Sequence, residues 1–132
     1  MKLKILIVLI LGTIFIYGCK KSVQPDQAAT IKLHECFQKK IVARNISLCF
    51  DSVVEDSRCP INVTCIWAGR AVAKFTFSSN NVSHPLTLVA NSSPANYSSD
   101  TVLDGYTIRF INLYPHPGDG GSELKAEVSI SQ

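Results

Sequence analysis

Over most of the chain, apolar residues recur at every second position. Ile31, Leu33 and Phe37 form one such set. Ile46, Leu48 and Phe50 form another, followed by Ala71, Ala73, Phe75 and Phe77, then Tyr106, Ile108 and Phe110, and finally Leu124, Ala126, Val128 and Ile130. A period of two places alternate side chains on one face of a β-strand, and no stretch carries a helical period long enough to compete. Between the sets lie clusters rich in Asn, Ser, Gly and Pro, at Ser78 to Pro85, Asn91 to Asp100 and Pro115 to Ser122, which read as turns and loops. The pattern predicts an all-β domain over residues 31–132, an antiparallel β-sandwich of six to eight strands, with an open β-barrel as the alternative. Within Phe110-Ile111-Asn112-Leu113 the apolar side changes phase, which predicts a β-bulge or a strand end.

The first eighteen residues follow a different rule. Lys2 and Lys4 precede a predominantly apolar run from Ile5 to Ile16, and Tyr17-Gly18-Cys19 closes it. A basic start, an apolar stretch shorter than the ~20 residues that span a bilayer, and a cysteine at its end make a cleaved export signal rather than a membrane span. The segment resembles the lipobox of bacterial lipoproteins. That resemblance implies that residues 1–18 are removed and that Cys19 becomes an acylated first residue. Two or three acyl chains, at roughly 0.8 kcal/mol per buried methylene, hold a small domain on a membrane without a helix. Lys20 rather than Asp after the cysteine resembles an outer-membrane sorting signal, so the expected location is the outer membrane of the cell envelope. Residues 19–30, polar and broken by Pro25, read as a tether.

Cleavage changes the charge. Without Lys2 and Lys4 the thirteen Lys and Arg fall to eleven, against ten Asp and Glu, a net charge of +1. A nucleic-acid binder should carry a basic patch well beyond neutrality, so that class is set aside.

Four cysteines remain besides Cys19, an even number suited to an oxidising compartment and open to three pairings. If Ile31–Phe37 and Ile46–Phe50 are antiparallel neighbours, pairing Cys36 with Cys49 in register sets Phe37 across from Leu48 and His34 across from Asp51. Cross-strand partners have Cβ atoms about 4.5–5.5 Å apart, close to disulfide reach. The expected bridges are therefore Cys36 with Cys49, and Cys59 with Cys65.

The densest motif is Glu55-Asp56-Ser57-Arg58-Cys59-Pro60 followed by Cys65-Ile66-Trp67-Ala68-Gly69. It resembles a family of small bacterial secreted or lipoprotein domains that share Asp-Ser-Arg-Cys-Pro, a short loop and Cys-x-Trp-Ala-Gly. Agreement is close from Val54 to Ala73, with Tyr-Thr-Ile-x-Phe and Leu-x-Pro-x-Pro elements following; Cys36 and Cys49 depart from the shared pattern. The resemblance implies fold and export, and no activity. In physical terms, Pro60 favours a turn that a Cys59–Cys65 bridge would pin. Arg58 has donors for Glu55 or Asp56 and for loop carbonyls, Trp67 offers a large apolar face, and Gly69 permits a bulge. These features serve either as a structural tie or as a recognition loop, formed by Glu55, Asp56, Arg58 and Trp67, for an envelope protein or a glycan.

Catalytic chemistry is sparse. Ser57 beside Asp56 has neither a histidine close by nor a Gly-x-Ser-x-Gly elbow, so no catalytic residue is assigned and the protein is not expected to be an enzyme. His34, His84 and His116 stand singly, without zinc-ligand spacing. No cofactor or metal ligand is assigned. The expectation is a non-enzymatic interaction or structural module of the envelope; the alternative is a periplasmic copper or zinc protein using His84 and His116 with reduced Cys59 and Cys65.

Overall fold

The computed structural model describes residues 27–41, 44–90 and 97–132. The expected signal segment 1–18, the expected lipidation site Cys19 and the expected tether as far as Asp26 lie outside the described residues, as does most of the expected loop from Asn91. Eight strands follow in order: β1 (Gln27–Lys32), β2 (Cys36–Ile41), β3 (Arg44–Asp56), β4 (Ala71–Ser79), β5 (Val82–Ala90), β6 (Asp100–Leu103), β7 (Tyr106–Tyr114) and β8 (Lys125–Ser131). They build two antiparallel four-stranded sheets, one ordered β1-β8-β7-β6 and the other β2-β3-β4-β5. This is the predicted β-sandwich, and no barrel closes.

The inward residues are those that the period of two marks. Ile46, Leu48, Phe50, Ala71, Ala73, Phe75, Phe77, Tyr106, Ile108, Phe110, Ala126, Val128 and Ile130 are all buried in one core. Phe50 stacks on Phe75 at 5.4 Å, and Phe75 meets Phe110 edge-on at 5.2 Å, linking the two sheets through ring geometry that aromatic quadrupoles favour. The register slips between Phe110 and Asn112, the bulge expected where the apolar side changes phase.

Three expectations need correction. Ile31 and Phe37 do not share a strand: Leu33 and His34 form a turn, with His34 at φ 66° and the Glu35 amide donating to the Lys32 carbonyl at 2.9 Å. The chain thereby passes from one sheet to the other, and Ile31 and Phe37 face the core from opposite sides. His34 accordingly has no ladder partner; its amide donates to the Phe50 carbonyl at 2.8 Å. The domain also begins earlier than residue 31, because Gln27 to Thr30 pair with Ile130 to Glu127. Finally, the expected loop from Ser78 to Pro85 shrinks to Asn80-Asn81, both with positive φ, the two-residue hairpin turn whose twist matches the flanking strands. Pro85 belongs to β5, an edge strand, where a missing amide leaves no ladder bond unmade.

Strand directions give the sandwich two distinct ends. At one end β3 leads into the long 57–70 segment and β7 into the 115–124 segment. At the other lie Gln27, the start of β3 at Arg44, the Asn80-Asn81 turn and the Asp104-Gly105 turn.

Candidate functional site

The long-loop end is organised by Arg58. Just past β3 the chain turns back on itself, so the Arg58 guanidinium reaches the Asp56 carboxylate through Nε to Oδ1 and Nη2 to Oδ2, both 2.8 Å. Nη1 also donates to the Leu113 carbonyl and Nη2 to the Pro115 carbonyl, the latter at 3.0 Å. Residue 58 is buried. Its five-donor fork thus ties the end of β3 in one sheet to the end of β7 in the other. Hydrogen bonding from Arg58 holds the Asp56 carboxyl below its ordinary pKa, against the opposing pull of partial burial, and the charge of His116 adds to the effect.

A second tie lies beside it. Arg70 donates to Glu55 through Nε at 3.1 Å to both carboxylate oxygens and through Nη2 at 2.9 Å to Oε2, while its guanidinium sits 5.7 Å over the Tyr97 ring. The Arg70 hydrogen bonds, then that from Ser57, lower the Glu55 pKa. The Ser57 amide donates to the Arg70 carbonyl at 2.8 Å, closing the base of the loop. Gly69 stands where the two strands of that base touch. A Cβ there would fall 1.7 Å from the Ser57 carbonyl oxygen, so the glycine serves close backbone approach and not the bulge expected for it.

Both expected disulfides are present, Cys36–Cys49 between paired strands and Cys59–Cys65 across the loop. The Cys59–Cys65 bridge and the Ile61 amide, which donates to the Pro117 carbonyl at 3.0 Å, pin a loop whose apolar side chains have no core to enter. Ile66 is 91% exposed and Trp67 69%, with Ile61 and Val63 each more than half exposed.

Of the four residues expected to form a recognition loop, three are engaged within the protein: Glu55 with Arg70, and Asp56 with Arg58. Trp67 alone is presented outward. Ile61, Val63 and Ile66, which join it, escaped the sequence reading; the signal was there, since a loop closed over six residues cannot carry its aliphatic side chains back to a core. The Ser57 hydroxyl donates to Glu55 Oε1 at 3.0 Å, with no imidazole among its partners. His84 pairs across from Phe77, six residues along β4 from Ala71, whereas His116 lies in the segment after β7 at the long-loop end. The structure therefore does not bring these histidines together, and Cys59 and Cys65 are joined to each other. Among the described residues no group of three or more His, Cys, Asp or Glu side chains is placed to hold a metal. The chain matches no protein-family model, no curated protein and no solved structure.

Proposed function

We propose that the protein is an outer-membrane lipoprotein, anchored through an acylated Cys19, that works without catalysis by presenting the Cys59–Trp67 loop to another protein of the cell envelope. The observation that carries this reading is the outward display of Ile61, Val63, Ile66 and Trp67 on a loop held by a disulfide below and the Arg58 tie beside it. Large exposed apolar side chains on a rigid support are what interface anchors look like: the rigidity removes ordering cost on binding, and Trp is the residue most often found at the energetic centre. Three exposed aliphatic side chains on the same segment as the indole suit an apolar protein cleft better than a hydroxyl-covered glycan.

Two experiments test the reading. Metabolic labelling with radioactive palmitate should mark the wild-type chain and not Cys19→Ala; a labelled variant would remove the anchor. Crosslinking in intact cells from a photoreactive residue at position 64 should give a discrete adduct. The adduct should fall at least about tenfold in Ile66→Ser/Trp67→Ser, a loss of about 1.4 kcal/mol or more, with thermal melting unchanged. An adduct of undiminished yield would remove the loop as the contact.

A further inference from the structure

The opposite end of the β2-β3-β4-β5 sheet carries a second surface of different chemistry. The strand segments at this end, residues 36–41, 44–50, 75–79 and 82–86, contain Lys39, Lys40 and Arg44 and no Asp or Glu. The rest of residues 27–132 holds six Lys and Arg against nine Asp and Glu. A nearly neutral chain thus gathers an excess of cations at one end of one sheet, with Asp104 on the turn at the same end of the other sheet. Here lies an open cleft of about 500 Å³, whose lining includes Lys39, Lys40, Asn45, Ser47, Ser78 and Asn81. Lys40 and Arg44 are exposed, and the lining offers amide and hydroxyl donors with no carboxylate among them.

The position of these cations relates them to the anchor. Gln27, where the described chain begins, pairs with Ile130 at the same end of the sandwich, while the Trp67 loop lies at the other. Asp56 is twelve residues along β3 from Arg44, and two bulges shorten that span to roughly 33 Å at 3.3 Å per paired position. Seven residues separate Cys19 from Gln27, a reach of at most about 28 Å. Lys20 and Lys21 add two more cations on that tether. A bilayer holding Cys19 would therefore meet the positive end first and leave the apolar loop pointing away from it.

We propose that the cleft end of this sheet, with Lys39, Lys40 and Arg44, is a membrane-facing surface that takes the phosphate-bearing headgroups of anionic lipids and stands the domain upright on its anchor. The proposal rests on the anchored reading for the nearness of the membrane, which palmitate labelling tests separately. Lys and Arg close to an anionic surface each strengthen partition roughly fivefold at moderate salt, so the exposed Lys40 and Arg44 together supply about twentyfivefold. An acidic leaflet would repel the remainder of the domain, which fixes orientation as well as affinity.

The test uses the chain from residue 19 onward with Cys19→Ser, so that no acyl group contributes, floated with vesicles of phosphatidylcholine alone or mixed with phosphatidylglycerol. Binding is expected only to the mixed vesicles, to weaken with added salt, and to fall roughly fivefold for each of Lys40→Gln and Arg44→Gln with unchanged melting. Absence of binding to the mixed vesicles, or equal binding to both, overturns the proposal. So does dependence on Trp67, tested with Trp67→Ser, which would mean that the loop inserts instead. Displacement by millimolar inorganic phosphate would assign the cleft to a free anion and likewise overturn it.

Discussion

Arg58 and Asp56, two residues apart, are joined by a pair of parallel hydrogen bonds of 2.8 Å, with 2% of the arginine side chain exposed against 26% of the aspartate. The arginine is the buried partner, and the carbonyls of Leu113 and Pro115 accept from its Nη1 and Nη2. Arg58→Ala would strand these acceptors and is expected to destabilise the protein by about 2–4 kcal/mol. Arg58→Lys keeps the charge but loses the fork, and should recover less than half of that loss in urea denaturation. A melting midpoint unmoved by Arg58→Ala would show that the tie does not hold the two sheets.

The same pair sets an acid limb. Because Arg58 lowers the folded pKa of Asp56 below its ordinary value of 3.8, the unfolded chain takes up the proton first as pH falls. The stabilising contribution is complete above about pH 5 and is lost as pH drops through the lower folded value. Glu55 and Glu123, both lowered by their Arg70 and Lys125/Lys32 partners, act in the same direction near the surface. Stability measured between pH 2 and 5 should therefore fall less steeply in Asp56→Asn than in the wild type.

Glycines at two positions should respond very differently to alanine. At Gly69 a Cβ would overlap the Ser57 backbone, with a contact of 1.7 Å that no side-chain movement relieves, so Gly69→Ala should cost more than about 3 kcal/mol or prevent folding. At Gly105 the space is open and only the φ of +80° is unfavourable, so Gly105→Ala should cost about 1 kcal/mol. Equal midpoints for the two variants would contradict the close approach at Gly69.

Removing each disulfide separates stability from display. The Cys36–Cys49 bridge closes a span of 13 residues and Cys59–Cys65 one of 6. On chain entropy, Ser substitution of the first pair should cost about 3 kcal/mol and of the second about 2. The second should in addition reduce the crosslinked adduct, because the loop loses its pin. Non-reducing peptide mapping checks the pairing itself, and any peptide joining Cys36 to Cys59 would refute it.

Ser79 presents the opposite case. Its hydroxyl is buried on the inner face of β4 with no hydrogen-bond partner. Ser79→Ala removes an unsatisfied group at little loss of volume and should stabilise the domain by up to about 1 kcal/mol, read as a raised urea midpoint.

Much of this architecture is local enough to be legible along the chain. The alternation from Ala71 to Phe77 and from Tyr106 to Phe110 needs nothing beyond strand geometry, and the phase change at Asn112 betrays the bulge in the same way. Pairing Cys36 with Cys49 was also accessible, because two neighbouring strands and one register suffice. β5 and β6 were hidden: Pro85 imitates a loop on an edge strand, and β6 is only four residues long. At the candidate site, the motif advertised Arg58 and Trp67 equally, and nothing in their order distinguishes a buried guanidinium from an exposed indole.

The sequence by itself determined the all-β alternation, the residues that form the core, the even set of cysteines and a motif dense in chemistry, because each depends on neighbours a few positions away. Tertiary structure decided the rest. It assigned Ile31 and Phe37 to opposite sheets through the turn at His34, and it closed Arg58 onto carbonyls 55 and 57 residues further on. It also set Trp67 and Lys40 at opposite ends of the sandwich. These are consequences of which distant strands pair, and pairing over such separations is settled only when the whole core is buried at once.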